Sequence, residues 1–160
     1  MKNVEYIIVG DGYAALFFAH QLIKNNKSFY LFSESKKGAS MVSAGIINPA
    51  VLKRFTTFWL AQEQIDSLKK TLSEIETYTG KNYLIDKPIL RVFHDEKEQE
   101  LWLKKSQDVQ FLSDDFIELN SIKNPFGCGK VNQSARLDVR NFFHDLLNYL
   151  DRKGILIKEK

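Results

Sequence analysis

The sequence predicts an α/β fold built on a parallel sheet, from three observations in its opening. "VEYIIVG" is a short apolar, β-rich run that ends in glycine; "GYAALFFAHQLIKNN" follows with helical spacing; "SFYLFS" is a second β-rich run. Strand, glycine turn, helix and strand in close succession open a βαβ unit, whose crossover makes the strands parallel.

Each element has its own warrant. The first run reads as a buried strand, because a near-continuous apolar stretch is the mark of parallel strands covered on both faces. Ala15, Ala19, Leu22 and Ile23 then recur at helical spacing, and Asn25 with Asn26 suits a helix end. After the second strand, "ESKKGASMVSAGIINPAV" has no period and reads as one long loop. Long loops in compact domains are often functional, and small residues let backbone approach a ligand closely. A long helix is expected from Phe55 to Thr79, with Phe58, Ile65, Leu68, Leu72 and Ile75 as its stripe and Gly80 as its stop.

"KPILRVF" reads as a strand after a proline boundary, and "DEKEQELWLKKSQ" as a charged surface helix with acids first and lysines last, as the helix dipole favours. Past a loop around "NPFGCG", "KVNQSARLDV" is extended and leads into a helix. There Val139, Phe142, Phe143, Leu146, Leu147 and Leu150 form one apolar face, Asp138 caps the start and Gly154 closes the end. "ILIKEK" begins a third parallel-type strand. The sheet is unfinished there, so the chain is expected to be the N-terminal part of a longer protein.

Composition narrows the function classes. The 160 residues are 44% apolar and 12% aromatic, enough for a core, and the net charge of +3 is scattered along the chain. With no basic block, nucleic acid is not an expected partner. The single cysteine, Cys128, excludes an internal disulfide, has no second thiol for CxxC chemistry, and reads as a small turn residue in "PFGCGK". The apolar run "YIIV" is too short for a signal peptide, and no stretch approaches the ~20 residues that span a bilayer. A soluble, cytoplasmic protein is expected, with no membrane partner. His20 and His144 fall off the apolar faces of their helices and His94 at a helix start, so all three read as surface residues. Lys53 and Arg54 read as a solvated pair, and no residue is assignable as an acid, base or nucleophile.

The chemistry-bearing feature is "VGDGYAA", which supplies Gly10-x-Gly12-x-x-Ala15 between a strand and a helix. Gly10 permits the tight turn, Gly12 lets backbone approach a pyrophosphate, and Ala15 is small enough for the helix to pack on the strand. The helix N-terminus offers free N–H groups and a partial positive charge to the phosphates. Dinucleotide binding follows, with Asp11 a turn residue whose carboxylate is directed away from the phosphates. The second strand of such a unit usually ends in a carboxylate for the adenosine ribose; here Ser33 holds that place and Glu34 stands one step later.

Three stretches together resemble the FAD-dependent oxidoreductases of the D-amino-acid oxidase and glycine oxidase family: "YIIVGDGYAALFFAHQL", "GASMVSAGIINP" and "ARLDVRNFFHDLLNYLDRKGILIKE". They occur in family order and cover nearly the whole chain. The middle one discriminates best, since it resembles the family's small-residue segment and plain NAD dehydrogenases lack it. The resemblance implies a Rossmann-like FAD-binding fold with an inserted α+β substrate-domain segment, incomplete at the C-terminus. It divides the chain into an FAD-binding segment over 1–48, an inserted segment over 49–129 and a return to the FAD-binding domain over 130–160. It also implies Gly10, Gly12, Ala14 and Ala15 at the pyrophosphate, Ser33 or Glu34 at the ribose, and Ala39, Ser40, Ser43, Ala44 and Gly45 in the loop toward the isoalloxazine. The implied reaction is oxidation of an amine or amino-acid-like substrate by hydride transfer to the flavin. Alternatives are an inactive or binding-only fragment of such an enzyme, an NAD(P)-dependent Rossmann oxidoreductase, and a tRNA-modifying flavoenzyme of the same family.

Overall fold

The computed structural model describes residues 3–34, 38–119 and 121–158. Residues 35–37 of the expected loop and Glu159 and Lys160 of the expected last strand lie outside them. In chain order the first elements are β1 (Tyr6–Val9), α1 (Tyr13–Lys24), β2 (Phe29–Ser33), β3 (Ile46–Ile47), β4 (Ala50–Val51), β5 (Thr56–Thr57) and α2 (Ala61–Thr79). They are followed by β6 (Leu84–Ile85), β7 (Ile89–Val92), α3 (Glu96–Ser106), β8 (Leu112–Ile117), β9 (Cys128–Val131), β10 (Ala135–Leu137), α4 (Val139–Arg152) and β11 (Leu156–Lys158). The chain forms two compact units: residues 1–45, 73–83 and 138–160 in the first, 46–72 and 84–137 in the second.

The first unit holds the expected βαβ. β1 and β2 run parallel with Tyr6 opposite Phe29 and Val9 opposite Phe32, and β11 joins β2 in parallel on its other side. α1 ends where Asn26 adopts φ +52°, as the Asn pair suggests. α4 starts where the Asp138 carboxylate accepts from the Asn141 N–H at 3.3 Å. It closes at Gly154, φ +69°, with the Ile155 N–H donating back to Leu150. Phe142, fully buried, lies between rings from two elements: its centroid is 5.6 Å from Phe17 of α1 and 5.6 Å from Tyr83.

Three expectations are corrected in this unit. β1 is not buried: Ile8 is, but Ile7 is 66% and Val9 84% exposed, because alternate side chains face opposite ways and the described residues leave one face uncovered. The buried stripe of α1 runs through Leu16, Ala19, His20 and Leu22 rather than Ala15 and Ile23. His20, expected at the surface, is only 2% exposed, its ring held by Tyr78 Oη at 3.1 Å and Glu74 Oε2 at 3.0 Å.

The second unit is mixed. β9 lies between β7 and β8 in an antiparallel sheet, β10 between β3 and β6 in another, and β4 pairs with β5. Its core gathers Ala50, Phe55, Ile65, Phe93, Trp102, Phe111 and Val131 around the Trp102 ring. The indole N–H of Trp102 donates to the Ser113 carbonyl at 2.7 Å, so the one polar atom of this buried ring is satisfied. α3 starts at Asp95, whose carboxylate accepts from the Glu98 N–H at 2.8 Å.

Two further expectations give way here. The helix expected from Phe55 begins only at Ala61, because Phe55 (φ +52°) and Leu60 (φ +49°) are left-handed and Thr56–Thr57 pairs with Ala50–Val51. Phe58 is accordingly exposed rather than part of a stripe. Cys128 is not a turn residue: it opens β9 and is fully buried, paired in register with Val92 and Ile117.

Gly129 of β9 sits against the Trp102 indole so closely that a Cβ would overlap the ring. Gly129→Ala should therefore destabilise the protein by about 1–3 kcal/mol, read as a lower urea midpoint. A second outcome concerns Glu98. Partial burial opposes its charge, but the Arg91 guanidinium, then the backbone and ring of His94, hold its pKa down at about 2 against an ordinary 4.5. A depressed carboxylate stabilises above its ordinary value and loses that contribution as pH falls toward the folded one. Urea midpoints should drop between pH 4.5 and about 2, and Glu98→Gln should flatten that part of the profile.

Candidate functional site

The glycine turn is held by the strand it follows. The Gly10 N–H donates to the Phe32 carbonyl at 2.9 Å, extending the β1–β2 ladder by one step and bringing the turn to the end of β2. Gly10 has φ +101°, a backbone that a side-chain-bearing residue rarely adopts. Gly12 precedes α1 in extended conformation and gives no side-chain cap, and no acidic residue stands in the first helical turn. The first N–H groups of α1 are thus presented without a carboxylate to neutralise them, as a bound anion requires.

The small-residue loop closes over this turn. Ser40 Oγ accepts from the Tyr13 N–H at 3.4 Å and would lie 3.1 Å from a Cβ placed on Gly12. Ser43 Oγ is 2.9 Å from Tyr13 Oη. Ala39, Ser43 and Ala44 are exposed, Ser40 and Gly45 half-buried, and Gly45 takes φ +67° where the loop enters β3. Ala14 is exposed and Ala15 half-buried on α1. The expected pyrophosphate and loop residues, Gly10, Gly12, Ala14, Ala15, Ser40 and Ser43, are therefore gathered around the start of one helix. Backbone with no Cβ at Gly12, an N-cap that offers no side chain of its own and a covering hydroxyl loop fit a diphosphate group.

Beside the turn, Val9, Gly10, Asp11, Phe32, Ser33, Glu34 and Gly38 line a recess of about 280 Å³. That is smaller than a pocket for a whole drug-sized ligand, roughly 300–1,000 Å³, and suits one portion of a longer molecule. Ser33 is buried at the end of β2 and its hydroxyl donates to Asp11 Oδ2 at 2.5 Å; Glu34 is exposed. The Asp11 carboxylate thus points across to the strand end. The sequence contained a signal for this pairing: a serine where a carboxylate is usual, and an acid inside the turn.

A second polar cluster in the same unit went unread. Glu74 accepts from Lys24 Nζ at 2.6 Å and contacts the buried His20, and these two hold its pKa below the ordinary carboxylate range, Lys24 foremost. Burial, with Tyr149 next, pushes the Tyr78 hydroxyl upward, and burial pushes Tyr83 to about 12. This cluster ties α1 to the C-terminal half of α2. Among the described residues no group of His, Cys, Asp and Glu is placed to hold a metal ion, and no helix is long and apolar enough to cross a membrane.

No protein-family model matches the sequence. Solved structures do match in three dimensions. Glycine oxidase from Geobacillus kaustophilus superposes with a TM-score of 0.69 at 14% identity, over 96% of this chain and 45% of that one. L-amino acid deaminase from Proteus vulgaris gives 0.67 at 16%, over 99% and 40%. An FAD dependent oxidoreductase from Pseudomonas aeruginosa gives 0.56 at 14%, over 93% and 38%. The chain spans under half the length of each. At such identities the likeness is one of fold: the α/β fold of these oxidoreductases, covering nearly all of this chain.

Gly10→Ala isolates the backbone constraint, since a Cβ there meets nothing within 4 Å. The left-handed φ alone should cost about 1–3 kcal/mol, measurable by urea unfolding, with Ser40→Ala as a milder comparison.

Proposed function

We propose that this chain is the N-terminal part of an FAD-dependent oxidoreductase of the D-amino-acid oxidase and glycine oxidase type. The observation that carries the reading is the glycine turn at the start of α1, covered by a loop of small residues and hydroxyls, within a fold shared with such enzymes. Gly10, Gly12, Ala14 and Ala15 would hold the FAD pyrophosphate through backbone N–H groups and the helix dipole. Ala39, Ser40, Ser43, Ala44 and Gly45 would line the path toward the isoalloxazine, and Ser33 or Glu34 would stand at the ribose. The first unit is assigned to the cofactor and the segment between its pieces to the substrate side.

Bound FAD supplies a two-electron acceptor for a hydride, and the substrate proposed is a small amine or amino acid, as the printed names of the glycine oxidase and the deaminase suggest. This chain's own share is to bind and orient: the glycine turn fixes the diphosphate, and the loop on Tyr13 fixes the direction in which the rest of the cofactor leaves the turn. No residue of the chain is assigned as acid, base or nucleophile. A cytoplasmic location is part of the proposal, on the single reduced and buried Cys128.

The test is spectroscopic. Mixing the purified chain with FAD should give the resolved visible bands and quenched fluorescence of a protein-bound flavin, and NAD should bind more weakly than FAD. Gly12→Val, which drives a branched side chain toward Ser40, should weaken FAD binding at least tenfold, about 1.4 kcal/mol. A chain that binds NAD and ignores FAD refutes the assignment.

A further inference from the structure

We propose that Asp11, inside the glycine turn, supplies the carboxylate that accepts from the adenosine ribose diol, and that Ser33 positions it. The inference rests on the dinucleotide reading above and reassigns one contact within it. Three observations converge. The bond from the Gly10 N–H to the Phe32 carbonyl fixes the turn against the end of β2. Ser33, 4% exposed, donates its hydroxyl proton to Asp11 Oδ2 at 2.5 Å, and both residues line the recess beside the turn. The carboxylate therefore stands at the strand end although it grows from the turn.

The chemistry favours Asp11 over its neighbours. A vicinal diol offers two O–H donors, and an ionised carboxylate has two acceptor oxygens with about four lone-pair sites, one of which Ser33 takes. Bonds to the charged acceptor are roughly twice as strong as those to a neutral hydroxyl, so Ser33 by itself would be a poorer partner. Tethering to Ser33 also holds the negative charge across the recess at the strand end. The bland alternative is that Asp11 merely shapes the turn. An aspartate in that role bonds its own backbone two residues on. Among the described residues, the hydrogen bond found for the Asp11 carboxylate runs instead to the side chain of Ser33 at the end of β2.

Calorimetric titration with ADP and with its 2′,3′-dideoxy analogue separates these roles. The wild-type chain should prefer ADP by about tenfold, the worth of a hydrogen bond from the diol to a charged acceptor. Asp11→Asn should bring that ratio close to unity while leaving affinity for the dideoxy analogue intact or higher. Ser33→Ala should lower the ratio in part, and Glu34→Gln should leave it alone. A residue that only shapes the turn would weaken both ligands together. If Asp11→Asn keeps the wild-type ratio, or Glu34→Gln abolishes it, the reassignment is overturned and the dinucleotide reading stands. Should Asp11→Asn fail to fold, Ser33→Ala decides: an unchanged ratio sinks the proposal. Failure of the wild-type chain to bind ADP at all would remove the dinucleotide reading and this inference with it.

Discussion

One hydrogen bond organises the candidate site: the Gly10 N–H donating to the Phe32 carbonyl. It continues the parallel ladder of β1 and β2 past the last paired residues, so the glycine turn cannot swing away from the end of β2. Everything chemical in the first unit follows from that tether. Gly12 is left in extended backbone at the head of α1, the helix dipole points into the space above the turn, and Asp11 is carried to within hydrogen-bond reach of Ser33. A parallel pair needs the helix as its crossover, so strand pairing and anion-binding terminus are one construction.

The two units earn their stability in different ways. In the first, aromatic rings from α1, α4 and the approach to β6 enclose Phe142, while the sheet exposes Ile7 and Val9 of β1. The second is organised around Trp102, whose ring fills the space that Gly129 leaves and whose N–H is satisfied by a strand carbonyl. Buried polar groups are paired in both: His20 by Tyr78 and Glu74, Ser134 by the Val131 carbonyl. That accords with the high cost of an unpaired polar group in a core.

Short-range patterns were legible in the sequence. The βαβ opening, the Asn25–Asn26 helix end, the Asp138 cap and the Gly154 stop each depend on residues within one or two turns of one another. Backbone conformation and capping chemistry decide them locally. The glycine fingerprint belongs to the same class, since φ +101° at Gly10 and the missing Cβ at Gly12 are properties of the residues themselves. The start of α2 was misread because an apolar run at helical spacing says nothing of a left-handed Leu60 or of a hairpin between Ala50–Val51 and Thr56–Thr57.

The sequence by itself determined an α/β chain with a glycine turn ahead of its first helix, because periodicity and turn chemistry are written over a few neighbouring residues. Tertiary structure alone decided which side chains meet. His20 became a buried, paired group once Glu74 and Tyr78 of α2 reached it, and Cys128 became core once β7 and β8 flanked its strand. Asp11 and Ser33 stand 22 positions apart, and only the parallel register of β1 on β2 sets the carboxylate of one against the hydroxyl of the other. Such contacts arise from strand pairing and helix packing across long sequence separations, which no local pattern encodes.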